Sequence, residues 1–235
     1  MALVLASCSS DDSATPTTEE ILVDDQVNLV LVKKIIETTP DNEIIKSLLT
    51  YNENRLVKSV SDDDTSEKFT YTGDLITKIE YFEGAVVTQT DTYAYNADGK
   101  LATHIRSEPS EPESRETYVY NADGTITATM SSGGVVSATA KIIFENGEVK
   151  RIERGAVITH SFTYDNRNNP TKEVLGLDKI SYSANGSDGI LHNVVKDEMP
   201  GNLFVVSFEY NGSNYPTKAT ETYNTDVTKY QYFYE

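Results

Sequence analysis

The chain predicts an all-β protein: a long antiparallel meander of about 14–16 short strands, barrel-like or coiled, built from repeated hairpins. Three observations predict it. An aromatic residue closes a unit at Tyr51, Tyr71, Tyr95, Tyr120, Phe144, Tyr164, Tyr210 and Tyr234, at intervals of 20, 24, 25, 24, 20, 46 and 24 residues. Two units are nearly the same, Tyr93-Ala94-Tyr95-Asn96-Ala97-Asp98-Gly99-Lys100-Leu101 and Tyr118-Val119-Tyr120-Asn121-Ala122-Asp123-Gly124-Thr125-Ile126. Around these turns apolar and polar residues alternate, the period of two that marks a half-buried strand. A repeat this short is one supersecondary element, and a meander this long must close or coil to protect its edges.

The first element is a short lead. Leu5-Ala6-Ser7-Cys8, followed by Ser9-Ser10-Asp11-Asp12, resembles a lipobox, the stretch at which bacterial lipoproteins are cleaved and acylated on cysteine. The acidic run after it resembles the signal that sends Bacteroidetes-type lipoproteins to the outer face of the outer membrane. Residues 1–7 then read as a residual signal peptide. They carry no Lys or Arg and are shorter than the basic and apolar regions such a signal needs, as expected of a start codon assigned too late or a truncated chain. The resemblance implies lipidation at Cys8 and a lipid-anchored protein facing the cell exterior.

Residues 8–25 form the second element, a lipidated acidic tether. Asp11, Asp12, Glu19, Glu20, Asp24 and Asp25 stand there without a single base. Such a segment has too little apolar surface to build a core. Asp12-Ser13-Ala14 resembles the O-glycosylation signal of Bacteroidetes-type exported proteins, which makes Ser13 a candidate modification site; the plainer reading is a solvated tether.

Residues 26–235 form the third element, a single repeat-built β domain. Asn-Ala-Asp-Gly suits a type I turn followed by a left-handed glycine. Pairing Asn96 with Lys100 sets Tyr95 against Leu101 and Tyr93 against Thr103, with Ile105 on the same face. Ala94, Ala102 and His104 fall on the opposite, polar face. The next unit places Tyr118, Tyr120, Ile126, Ala128 and Met130 together, and Asn146-Gly147 sets Phe144 opposite Val149. One face is aromatic and aliphatic, so Tyr93, Tyr95, Leu101, Tyr118, Tyr120, Ile126, Phe144 and Val149 are expected on one enclosed side. Residues 175–202 break the rhythm, as a degenerate unit with a longer loop. That segment is a candidate binding surface or a variable surface loop.

These hairpins resemble YD repeats, the Tyr-Asp units of large secreted shells and toxins. A closer likeness lies in Phe162-Thr163-Tyr164-Asp165-Asn166-Arg167-Asn168-Asn169-Pro170-Thr171-Lys172 and Phe208-Glu209-Tyr210-Asn211-Gly212-Ser213-Asn214-Tyr215-Pro216-Thr217-Lys218. They are similar to the paired C-terminal motifs of a Bacteroidetes-type surface lipoprotein family of unassigned function, which implies a porin-like β fold. The first copy lacks the aromatic that Tyr215 supplies before proline in the second.

Chemistry is sparse. Lys and Arg number 20 against 37 Asp and Glu, a net charge of −17, which argues against nucleic acid or anionic lipid as a partner. His104, His160 and His192 lie far apart in a chain with one cysteine, so no metal is expected. Asp62-Asp63-Asp64 reads as a hairpin tip, since Glu67 stands where a calcium loop needs glycine. Glu108, Glu111, Glu113 and Glu116 read as a solvated acidic loop. No catalytic residue or cofactor site stands out. The strands are too short, and the aromatics too few in tryptophan, for a membrane-spanning barrel. The function expected is therefore a non-catalytic surface module with a binding or structural role. Its partners would be the membrane through Cys8 and a glycan or surface-protein ligand. The alternative is a glycan-active enzyme or glycan-capture accessory.

Overall fold

The computed structural model describes residues 29–235, so Cys8, Ser13 and residues 1–25 lie outside the described residues. The first strands are β1 (Val32–Thr38), β2 (Ile44–Asn52), β3 (Arg55–Ser61), β4 (Thr65–Thr72), β5 (Leu75–Glu83) and β6 (Val86–Tyr95). They continue as β7 (Leu101–Ser107), β8 (Ser114–Tyr120), β9 (Ile126–Ser132), β10 (Val135–Glu145), β11 (Glu148–Arg154) and β12 (Val157–Asn168). After two short strands, β13 (Tyr182–Ser183) and β14 (Gly186–Ser187), come β15 (His192–Met199), β16 (Asn202–Tyr210), β17 (Pro216–Tyr223) and β18 (Asp226–Tyr234).

All but β13 and β14 pair in chain order into one closed antiparallel barrel of 16 strands. Closure joins β1 to β18, with Ile35 against Tyr232 and Glu37 against Tyr230, and leaves no edge strand open. Leu31 and Glu235 exchange backbone hydrogen bonds at the rim where the chain enters and leaves, here called the terminal rim. The opposite end is the far rim.

The expected hairpins form. Asn96 N–H donates to Lys100 O at 2.9 Å and Gly99 N–H to Asn96 O at 3.0 Å, with Gly99 at φ 70°. Asn121 and Thr125 repeat that pattern at 2.8 Å. Asn146 and Gly147, at φ 53° and 84°, make the two-residue turn that sets Phe144 against Val149. All eight residues expected on the enclosed side belong to the core or pack against it.

One part of the register differs. Tyr95 pairs with Leu101, but Ala94 pairs with Thr103 and Tyr93 with His104. Ala102 is an extra residue, a β-bulge that shifts everything beyond it by one position and so exchanges the faces. His104 therefore turns inward and stacks on Tyr93 at 4.8 Å, while Ile105, opposite Thr92, turns out. The same bulge recurs at Val57, Thr77, Thr88, Ser137, Lys150, Thr159 and Thr217. Most are hydroxyl residues, and the hydroxyl replaces part of the lost ladder. Thr77, Thr88, Ser137, Thr159 and Thr217 each donate to a carbonyl of the facing strand at 3.1–3.4 Å. Bulges sharpen twist, and a closed barrel requires that twist.

The repeated tyrosines use these bulges. Tyr51 OH donates to Val32 O (2.8 Å), Tyr95 OH to Ile76 O (2.6 Å) and Tyr120 OH to Leu101 O (3.0 Å). Tyr164 OH donates to Val149 O and Tyr234 OH to Pro216 O, both at 2.8 Å. Every one of these carbonyls belongs to the residue just before a bulged one, where the ladder is interrupted. Each pair of strands so joined meets through a turn at the far rim, so the phenol ties the ends that no turn connects.

Truncating Tyr120 to alanine removes an inward ring and its tie, and is expected to cost about 3 kcal/mol. Tyr120→Phe should lose only the hydrogen bond, about 1 kcal/mol. Lys68→Ala, on the outer wall, should cost under about 0.5 kcal/mol. Urea denaturation orders the three, and equal losses for the alanine variants would show that the aromatic face is not enclosed.

Candidate functional site

A wall of sixteen strands encloses more space than its own side chains fill. Residues 169–191, connecting β12 to β15, occupy that space at the terminal rim. They carry the 3₁₀ turn Leu177–Lys179 and the β13–β14 hairpin. This revises the expectation for residues 175–202: the first part packs inside the barrel, and Leu191 onward leads into an ordinary wall strand. The local sequence explains the path. Gly176 at φ 80° has Asp74 O only 2.9 Å from where a Cβ would stand, and Gly189 at φ 82° has His192 O at 2.2 Å. Only glycine fits so close to backbone in that conformation.

Inward carboxylates hold the segment. Glu148 accepts from the N–H groups of Ile190 (2.9 Å), Leu191 (2.7 Å) and His192 (2.8 Å). Glu116, expected in a solvated loop, instead lies buried at 7% exposure in β8. It accepts from Tyr118 OH at 2.6 Å, Ala184 N–H at 3.0 Å and Asn185 Nδ2 at 3.1 Å. The alternation of β8 puts Glu116 on the same side as Tyr118 and Tyr120, which outweighs the acidic character of the loop before it. Tyr182 completes the packing, its ring edge-on to Phe144 at 5.2 Å and its hydroxyl 3.3 Å from that of Tyr120.

The histidines do not converge. His104 lies 3.6 Å from Asp91, His160 Nδ1 lies 2.8 Å from Asp197, and His192 Nδ1 lies 3.3 Å from Glu148. His104 was expected on the solvated face; the bulge at Ala102 brings it in. Among the described residues no three of His, Cys, Asp and Glu gather as metal ligands.

Between the internal segment and the wall formed by β15–β18 and β1 lies a cavity of about 340 Å³. Phe204, Phe208, Tyr230 and Tyr232 face it, with Asp188 and Glu221 as its acids. Burial, with Glu37 nearby, pushes the Glu221 carboxyl above the ordinary range, and the Tyr230 hydroxyl partly offsets this. Asp188, at the edge of the cavity, keeps an exposed side chain, and the protein packed around it nonetheless raises its pKa. Asn193, which also lines the cavity, leaves its side-chain oxygen without a hydrogen-bond partner. Asp188 and Asn193 fall within residues 175–202, the segment the sequence marked as a candidate binding surface, whereas nothing in the sequence marked Phe204, Glu221, Tyr230 or Tyr232. Only the alternation of β16 and β18 hinted that their aromatics share a side.

No protein-family model matches the chain, and no curated protein matches it. Solved structures do. The barrel is similar to the crystal structure of a porin-like protein from Bacteroides uniformis, at 13% sequence identity and a TM-score of 0.53, over 87% of this chain and 98% of that one. A porin-like protein from Bacteroides vulgatus is similar at 10% identity and a TM-score of 0.44, over 88% and 99% of the two chains. The first likeness shows a shared barrel fold.

Glu148→Ala should strand three backbone donors and cost about 3 kcal/mol, with faster hydrogen exchange at the Ile190 and Leu191 amides. Glu221→Gln should act in the opposite direction. The raised pKa means that ionised Glu221 destabilises the fold, fully so above its folded pKa. The variant should therefore melt higher than the native chain at pH 7. The gain should vanish below about pH 4, where the unfolded carboxyl is protonated too.

Proposed function

We propose that the chain is a non-catalytic, lipid-anchored module at the outer membrane whose barrel holds a small ligand in its lumen without itself crossing the bilayer. The observation that carries this reading is the polarity of the wall. A barrel that crosses a membrane is apolar outside and polar within. Here the order is reversed. The inner face carries Ile76, Leu101, Ile142 and Ile152, each at most 1% exposed. The outer face carries Lys58, Lys68, Lys141 and Arg151 at mid-strand, all exposed. Each such cation at the bilayer midplane would cost about 2–4 kcal/mol. Of the strongly exposed apolar residues on the wall, Val86, Val135 and Val157 sit beside turns at the far rim and Val119 near the terminal rim, while Leu48 lies at mid-strand in β2.

The solved neighbour is described as porin-like, and its fold supports an outer-membrane setting. A porin's open channel is not supported here, because residues 169–191 fill the lumen at the terminal rim. Attachment then falls to Cys8, where an acyl chain contributes about 0.8 kcal/mol per buried CH₂. Ser13 remains a proposed glycosylation site on the tether. Binding is favoured over structure alone because the cavity keeps polar groups that the protein itself leaves unpartnered.

The Cys8→Ala chain is expected to purify from aqueous buffer without detergent as a single folded species. The native chain, expressed with a complete export signal, should take up a palmitate analogue on Cys8 and be cleaved by protease added to intact cells. A Cys8→Ala chain that needs detergent to stay dispersed would overturn the tethered reading in favour of a spanning barrel.

A further inference from the structure

The inward-facing acids differ in their partners, and Glu37 and Glu67, opposite Tyr230 and Tyr81, lie outside the cavity's lining. Asp91, Glu116, Glu148, Asp165 and Asp197 are each engaged by protein donors. Tyr81 and Gln89 bond Asp91, and His160 bonds Asp197. Asn193 Nδ2 and Tyr210 OH bond Asp165. Asp188 and Glu221 differ. Among the described residues neither takes part in a salt bridge, and no Lys, Arg or His lines the cavity they face. Two carboxylates without a counter-ion, Glu221 half-buried and Asp188 exposed at the edge of the cavity, in a chain of net charge −17, form a site of unbalanced negative potential. Aromatic rings strengthen that bias, because their faces attract cations.

We propose that this cavity binds a small organic cation, its ammonium group neutralising Glu221 and Asp188 and its carbon skeleton resting on Phe204, Phe208, Tyr230 and Tyr232. The proposal rests on the reading of the lumen as a ligand site and adds the ligand's chemical class. The free side-chain oxygen of Asn193 is a further acceptor at the same wall, suited to an N–H donor. A sugar would use the same rings, but it would leave both carboxylates without a counter-charge. An inorganic divalent cation would use the carboxylates and leave the rings idle.

The test compares three probes of one size by titration calorimetry on the native chain: phenethylammonium, neutral 2-phenylethanol and anionic 3-phenylpropionate. Phenethylammonium should bind, and the other two should be about tenfold weaker or absent. Glu221→Gln should weaken the cation by about tenfold or more, as loss of one partner in a desolvated ion pair does, and Asp188→Asn, at the exposed edge, by less. Both variants must melt no lower than the native chain, which separates loss of binding from loss of fold. Equal binding of 2-phenylethanol, unaffected by Glu221→Gln, would overturn the cation and leave the lumen as a site for neutral ligands. Calcium chloride binding in place of phenethylammonium would also overturn it. Silence from all three probes would overturn both the cation and the luminal site, while the surface assignment would still stand on the protease result.

Discussion

The barrel depends on where a tyrosine hydroxyl finds its acceptor. Strands joined by a turn at one rim are free to splay at the other, and a closed sheet tolerates no splay. Tyr51, Tyr95, Tyr120, Tyr164 and Tyr234 each reach across to a carbonyl beside a bulge, at the rim where their strand pair lacks a turn. The bulge supplies twist and interrupts the ladder, and the phenol supplies the missing donor. The repeat period follows from this arrangement. One unit is the length of chain needed to travel to the far rim and back, and the tyrosine must return to the same height each time. Three repeat positions lack the tie, and among the described residues the Tyr71 hydroxyl is left buried without a hydrogen-bond partner. Phe144 has no hydroxyl, and its ring instead packs on Tyr182. Tyr210 turns its hydroxyl to Asp165.

Much of this was legible in the residues. The Asn-Ala-Asp-Gly and Asn-Gly turns, the alternation around them and the inward set from Tyr93 to Val149 are local features, and local chemistry fixes them. The bulges were not legible. Thr77 and Ala102 look like ordinary strand residues, and what makes them extra is the twist that closure demands of the whole sheet. That one-residue displacement is why His104 was expected outside and lies within. Glu116 was hidden for a related reason: an acid in an acid-rich stretch reads as solvated until the opposing segment, some 70 residues later in the chain, supplies Ala184 and Asn185. The paired motifs at Tyr164 and Tyr210 look alike yet part company. Asn211 to Tyr215 closes a hairpin, whereas Asn169 starts the internal segment, and Asn168 N–H donates to Asn214 O at 3.0 Å to hold the two side by side.

The reversed polarity of the wall and the unpaired acids of the cavity belong together. An apolar lumen makes each inward charge costly unless something answers it. Glu116 and Glu148 are answered by backbone and side-chain donors of the segment they hold, and so serve the architecture. Glu221 has only the Tyr230 hydroxyl and Asp188 has no salt bridge among the described residues, and both burden the fold in their ionised forms. Local instability kept beside an aromatic wall is the usual mark of a site shaped for something other than stability.

The seam between β1 and β18 has a consequence for how the molecule is made. Val32 meets Tyr234 across nearly the whole chain, so the final ladder forms between the segments most distant in sequence. Hairpins can assemble as they emerge, each within its own short loop, but the seam must wait for the last strand. The internal segment joins β12 to β15 at the terminal rim, so it can fold in through that end before or as the ring closes. A chain delivered across a membrane unfolded would thus fold as an open, curling sheet that gathers its own filling and shuts last. Until it shuts, both edges are free to pair with another copy, so this interval is when the chain is most exposed to aggregation.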